Sequence, residues 1–311
     1  MNIVPEISVI IPTYNRFEML ERALNSVLSQ RFKDFGIIAI DDASTDDTME
    51  RMQRVFKAEI ETGRIKYVRN EKNQGRSACR NIGIKLAKTE FITFLDDDDY
   101  WLPEHLHLLN SFMNEHKNIG IAFSNWAIRD EQKQGDKPGI KGVKTGTGDP
   151  YLKLILRALI GYPSTCIIRK SVLEQTPWFN TVLPPREDWD FFTRCAMVGG
   201  IGFIDKSTVR IYVHSGSYSK NKDQWVNATE AAWNSITAAA QKYGVCLDNR
   251  IISERELRLS RAFISICDFE KAGMYLSRAV KHDPFSVLSS IALENMFKLL
   301  IGKRLYMRYK K

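Results

Sequence analysis

The sequence predicts an α/β protein, a mostly parallel, Rossmann-like sheet flanked by helices, followed by a helical C-terminal extension. Two observations predict it. Short, near-continuous apolar runs rich in β-branched residues alternate with amphipathic stretches of helical period, the pattern of strands buried on both faces and joined by crossover helices. From residue 223 to the end, the pattern is helical alone. A chain of 311 residues suits one large domain with an appendage of roughly 100 residues.

The elements follow in order. ISVIIP (7–12) is the first strand, and the amphipathic stretch 17–30 the first helix. FGIIAI (35–40) is the second strand and runs into DDASTDDT, where Ser44 and Asp47 have the spacing of a capping box for a helix over 46–59. IKYVRN (65–70) precedes a helix over 76–88, and FITFL (91–95) ends in four consecutive aspartates, Asp96 to Asp99. Pro103 suits the first turn of a helix over 103–116, with Asp99 a candidate cap. A second half holds a strand IGIAFSNWAI (119–128), a helix from Tyr151, a strand STCIIR (164–169), a helix REDWDFFTRCAMVGG (186–200) and a strand TVRIYVH (208–214). Between these, the Gly- and Lys-rich stretch 131–150 reads as an exposed loop, either a connector or a lid. The expected domains are 1–222, with halves 1–118 and 119–222, and the helical region 223–311.

In open parallel sheets, ligands bind beyond the carboxyl ends of the strands. That rule puts Thr13, Tyr14, Asp41, Asp42 and the aspartate cluster on one rim. Two like charges about 4 Å apart repel by about 4 kcal/mol at an effective dielectric near 20, so the cluster calls for a cation. Carboxylates without His or Cys at ligand spacing favour a hard divalent ion, Mg²⁺ or Mn²⁺, which one or two carboxylates plus substrate phosphates can hold. Asp96 and Asp98 form a D-x-D pair of that kind. A dinucleotide fingerprint would need glycines in the first βα turn, and IPTYNRF has none; a P-loop is also absent. Asp42, at a strand end, can accept from a base or ribose, whereas Glu187, Asp188 and Asp190 also suit the start of a helix. His105 and His107 are two apart, hence on different helix faces, and do not share a metal.

VIIPTYNR, AIDDASTDDT and NEKNQGRSACRNIGIKLAKTEFITFLDDDDYWLPEHL, in that order and spacing, resemble the inverting glycosyltransferases of family 2 with the GT-A fold. The resemblance is strong over residues 5–125 and weaker through REDWDFFTR (186–194). It implies a nucleotide-sugar site of Pro12, Thr13, Tyr14, Asp42, Gly75, Arg80, Asp96 and Asp97. Metal ligands would be Asp98 and Asp96, with His214 a weak third, and the register within the four aspartates is open by one residue. Asp188 would be the general base, with Glu187 the fallback. The implied reaction is a metal-dependent transfer of a sugar from a nucleotide diphosphate donor, UDP-sugar foremost, to a glycan or lipid-linked acceptor in cell-surface polysaccharide synthesis. The Q-x-x-R-W pattern of processive synthases is absent, which favours single addition. The rival readings are a Mg²⁺-dependent nucleotidyltransferase or phosphatase and a noncatalytic glycan-binding protein of the same fold.

The net charge of +8 suggests an anionic partner, whether nucleic acid, a phosphate-bearing substrate or an anionic membrane, and charge alone does not choose among them; the resemblance implies the substrate and the membrane, and no nucleic acid. FKLLIGKRLYMRYKK (297–311) carries Lys298, Lys303, Arg304, Arg308, Lys310 and Lys311 without an acid, which reads either as a frayed terminus or as a membrane-surface segment. Five scattered cysteines read as reduced thiols, and MNIVPEISVII does not read as an export signal. The expected setting is cytoplasmic, peripheral at the inner face of the membrane.

Overall fold

The computed structural model describes residues 4–130, 135–183, 185–213 and 221–309. The chain divides into two compact units, Met1–Ser217 and Tyr218–Lys311. In the first unit, β1 (Ile7–Thr13), β2 (Phe35–Asp41), β3 (Ile65–Arg69) and β4 (Phe91–Phe94) pair in parallel in the order β3-β2-β1-β4. The crossovers are α1 (Phe17–Leu28), α2 (Thr48–Val55) with α3 (Lys57–Glu61), and α4 (Arg76–Leu86). Every residue of β1 is buried, as a central strand with helices on both faces requires.

Beyond β4 the path continues through β9 (Cys166–Arg169), β6 (Ile121–Asp130), β10 (Ile201–Val213) and β5 (Tyr100–Trp101). β9 is antiparallel to β4 and β6, β10 is parallel to β6, and β5 is antiparallel to β10. The sheet is thus mixed, and its shared direction holds for all but β9 and β5 along this path. Because β1 connects to β2 on one side and pairs with β4 on the other, the strand order reverses at β1, which opens a crevice beyond the carboxyl ends of β1 and β4.

Three local expectations are corrected. The helix after the aspartates, α5, spans His105–Glu115 with Glu104 before it, so Pro103 lies outside it and Asp99 does not cap it. Ser44 does not cap α2; its Oγ accepts from the Asn15 N–H at 2.9 Å. The stretch after β6 is not simply a loop. β7 (Asp136–Pro138) pairs with β6, β8 (Gly146–Thr147) pairs with β10, and Asp136 ion-pairs with both Arg129 and Arg210. Asn125 Nδ2 also donates to Ile140 O at 2.8 Å, so the described part of the segment is fastened to the sheet.

After α6 (Asp149–Leu156), a 3-10 turn at Pro163–Thr165, β9 and the short α7 (Lys170–Leu173), α8 spans Glu187–Gly199. Its middle packs Phe191 and Phe192 against Phe94 of β4, Phe123 of β6 and Phe179. Its last residue meets β6's approach backbone to backbone. The Gly120 N–H donates to Gly199 O at 2.6 Å, and a Cβ on Gly120 would lie 2.8 Å from Gly199 Cα. The aromatic cluster and this glycine contact fix α8 along its length. Gly83 of α4 likewise lets that helix approach β1, where a Cβ would strike the Ile10 side chain.

The second unit is α9 (Lys222–Lys242), α10 (Asn249–Ser265), α11 (Phe269–His282) and α12 (Ser290–Tyr309). Side chains of Asn221, Asp248 and Asp268 cap α9, α10 and α11. Gly302 (φ 69°, ψ 169°) breaks α12. Among the described residues, no helix is long and apolar enough to cross a membrane.

Gly83→Ala is expected to lower stability by about 1–3 kcal/mol through overpacking against Ile10, although helix propensity alone would favour Ala by about 1 kcal/mol. Thermal melting decides the sign, and an unchanged or raised melting temperature would contradict the close approach.

Candidate active site

The rim forms where β1, β2 and β4 end together. Thr13 is in register with Asp41, and Asp41 with Arg69. Asp41 is fully buried and structural: it accepts from the Ser44 N–H at 2.8 Å and the Tyr67 hydroxyl at 2.5 Å. Asp42, also buried, accepts from Asn70 Nδ2 (2.8 Å), the Gln74 N–H (2.9 Å) and the Gly75 N–H (2.7 Å). The Cys79 thiol also bonds this carboxylate, so a ligand donor would take the place of that weak donor. Pro12 is buried inside β1, while Tyr14 stands 41% exposed at the rim.

The aspartate run closes a turn, with the Asp99 N–H donating to Asp96 O at 3.0 Å, and the turn separates its four members. Asp97 and Asp99 turn inward. Thr13 Oγ1 donates to Asp97 Oδ2 at 2.8 Å, and Asp99 accepts from Ser164 Oγ at 2.5 Å and from the Tyr212 N–H at 3.2 Å. Asp96 and Asp98 keep 29% and 21% of their side chains exposed. The repulsion between them is answered in part by protein cations: Arg80 Nη2 lies 2.5 Å from Asp96 Oδ1, and Arg16 lies 3.4 Å from Asp98 and 3.6 Å from Asp97. Burial, reinforced by the charge of Asp98, pushes the Asp97 carboxyl up to about 7 against the opposing Thr13 hydroxyl and Arg16. Asp99 is raised well above the usual range, by burial first and then by Asp96 and Asp98.

Arg80 joins this rim to α8. Its side chain is 1% exposed, and its Nη1 lies 3.2 Å from Glu187 Oε1 while Nη2 holds Asp96. Arg76 Nε lies 2.5 Å from the same Glu187 oxygen. Burial opposes the Arg80 charge, but Asp96 and Glu187 outweigh it and hold the guanidinium above its ordinary value. With its carboxylate buried between two arginines, Glu187 is committed to this network. Asp188 is half-buried beside it and takes the N–H of Trp189 at 2.7 Å. Burial and the charge of Glu187 raise the Asp188 carboxyl above the usual range, while Arg76 and Arg80 oppose the rise. Asp190 instead pairs with Arg194 at 2.8 Å inside the fold. Tyr162, 41% exposed, is raised by burial and then by Asp188, which puts a phenol within electrostatic reach of that carboxylate.

Two half-exposed carboxylates at the crevice fit a hard cation that completes its shell with diphosphate oxygens and water. Among the described residues no three His, Cys, Asp or Glu side chains converge to cage an ion without a substrate. His214 lies outside the described residues. His105 is buried with Nδ1 2.7 Å from Thr208 Oγ1, and His107 is exposed. Arg16, Arg76, Ser164 and Tyr162 escaped the sequence reading. Arg16 sits inside the first motif and was open to notice, but nothing in YPSTC announces that Ser164 reaches Asp99.

The sheet order and the polar rim over its crevice are those of the GT-A fold. A crystal structure of S. aureus TarS 1–349 in complex with UDP superposes with a TM-score of 0.70 at 20% identity, covering 98% of this chain and 91% of that one. A mannosyltransferase from Pyrobaculum calidifontis, in complex with GDP-Man and Mn²⁺, superposes with a TM-score of 0.58 at 17% identity, over 99% of this chain and 84% of its own. The family model for glycosyl transferase family 2 matches residues 8–176, and the chain belongs to that family. An uncharacterized glycosyltransferase of Rickettsia conorii is 34% identical over 214 residues, 68% of this chain but 33% of that protein, so the chain spans about a third of that relative's length. A UDP-Glc:alpha-D-GlcNAc-diphosphoundecaprenol beta-1,3-glucosyltransferase of Escherichia coli is 30% identical over 247 residues, 78% of this chain and 90% of the relative.

Arg80→Met is expected to destabilise the protein by about 3–5 kcal/mol, since it leaves the half-buried Asp96 without its guanidinium and the buried Glu187 carboxylate with Arg76 alone. Denaturant unfolding would measure this; a change under about 1 kcal/mol would show that the bridge does not hold the two segments together.

Proposed function

We propose that the protein is an inverting glycosyltransferase that moves a sugar from a nucleoside diphosphate donor, a UDP-sugar, to a hydroxyl of a glycan or lipid-linked acceptor. What supports this most is the Arg80 bridge between Asp96 and Glu187, which ties the carboxylate rim to the segment carrying Asp188. Asp42 accepts from the base, with Thr13, Tyr14 and Gly75 around it. Asp96 and Asp98 would hold a divalent cation, Mn²⁺ or Mg²⁺, which when bound supplies Lewis-acid stabilisation to the diphosphate leaving group. Asp188 removes the proton from the acceptor hydroxyl as it attacks the anomeric carbon from the face opposite the diphosphate, and direct displacement inverts that centre. Asp97 serves through Thr13, by fixing the end of β1, rather than by facing the sugar.

The acceptor setting follows from the relative named for a diphosphoundecaprenol substrate and from the C-terminal surface. Leu293, Phe297 and Leu300 lie on one face of α12 and are 53%, 63% and 84% exposed. Phe285 and Leu288, in the 3-10 turn just before that helix, are 81% and 73% exposed. An apolar face followed by a run of lysines and arginines without acids suits the surface of an anionic bilayer. We place the enzyme at the cytoplasmic face of the membrane through this segment.

Asp188→Asn should cut turnover by about 10²–10⁴-fold while UDP still binds, and Asp98→Ala should remove metal-stimulated transfer. A panel of nucleotide sugars, assayed with and without Mn²⁺, tests both; activity unchanged in Asp98→Ala would sink the mechanism. Because the base works deprotonated and its pKa is raised, kcat should begin to fall with decreasing pH at a higher pH than a carboxylate of ordinary value 3.8 would give. A pH–kcat profile with its acid limb near 4 would contradict that assignment. Pelleting with anionic vesicles should capture the full chain, and truncation before Phe297 should release it; equal capture would remove the membrane role from this segment.

A further inference from the structure

The second unit carries an open cavity of about 500 Å³, lined entirely by its own residues. That volume falls inside the range of about 300–1,000 Å³ common for small-ligand sites. Trp233, Thr237 and Gln241 line it from successive turns of α9, Ile252 and Glu256 from α10, and Arg278, Lys281 and His282 from the last turn of α11. Val245 and Leu247 close it from the α9–α10 connection. Val245, Leu247 and Ile252 therefore form an apolar patch in a lining that also carries Asn234, Thr237 and Gln241, and the α11 side is basic.

Glu256 is the unusual member. The residue is 5% exposed, and its Oε2 is buried with no hydrogen-bond partner among the described residues. A buried acceptor left without a donor is costly, more so on a charged group, so a donor brought to this carboxylate through the cavity would be favoured. Burial raises its carboxyl to about 7 against the nearby Arg278, so near neutrality it can accept a hydrogen bond or donate one. An ammonium ligand would face the cations Arg278 and Lys281, which disfavours it; the same two groups attract an anion.

We propose that this cavity binds a hydroxyl-bearing anion of sugar size, a uronate or a sugar phosphate, with ring hydroxyls on Glu256 and the anionic group on Arg278 and Lys281. The apolar surface of Val245, Leu247 and Ile252 takes the face of the ring. For a uronate the source would be an acidic residue of a glycan; for a sugar phosphate, a free metabolite. The inference does not rest on the reading of the cleft, because no residue of the cavity belongs to it.

Isothermal titration of the full chain with glucuronate, glucose 1-phosphate, glucose and inorganic phosphate tests it. One of the two hydroxylated anions should bind about 10-fold or more tightly than glucose or phosphate, and which one does identifies the source. Saturating UDP should leave that binding in place, while Arg278→Ala with Lys281→Ala, both exposed positions, should weaken it about 10-fold or more. Glu256→Gln should weaken it with the melting temperature unchanged or raised. Absence of binding at millimolar ligand, displacement by UDP, indifference to the Arg278 and Lys281 changes, or equal affinity for phosphate alone would overturn the proposal.

Discussion

The Arg80 guanidinium, buried between Asp96 at the end of β4 and Glu187 at the start of α8, is the constraint on which the rest of the site depends. One cation balances carboxylates drawn from segments about 90 residues apart in the chain. Glu187 could not be buried without a cation, because an unpaired charge in a protein interior costs several kcal/mol. Together with Arg76 they form a network in which geometry and charge balance are the same problem. Glu187 gives up any exposed role, and the neighbouring Asp188 inherits the half-open position.

The four aspartates show how a backbone turn sorts identical residues. The turn closed from the Asp99 N–H to Asp96 O sends Asp97 and Asp99 toward Thr13, Ser164 and the Tyr212 amide and leaves Asp96 and Asp98 at the crevice. Electrostatics then distinguishes them further, since the inward pair is pushed toward neutrality by burial and by the charges of the outward pair. The cluster is two scaffolding hydrogen-bond acceptors interleaved with two outward carboxylates.

Much of this was legible in the residues. The alternation of apolar runs and helical stretches locates β1 to β4 and their crossovers, because burial on both faces demands near-continuous hydrophobicity. The rim follows from the rule for strand ends, which draws Thr13, Asp42 and the aspartates together. The misreadings came where a polar side chain had two local uses open and a distant partner won. Ser44 suited a cap but bonds Asn15; Asp99 suited a cap but bonds residues 65 and 113 positions away. Local sequence carries no record of such partners. The stretch after β6 misled for a related reason: glycines and lysines suggest solvent, while the pairing of β7 and β8 depends on edges supplied by β6 and β10.

The contact between Gly120 and Gly199 bears on the site from the far end of α8. A helix of thirteen residues is about 20 Å long. With one end pressed backbone to backbone and the middle gripped by phenylalanines, α8 behaves as a lever whose pivot is two missing side chains. Any bulk at that pivot would be converted into a sideways travel of Glu187 and Asp188 at the other end. The position of the carboxylate beside the crevice is therefore set, in part, by two glycines that never approach it.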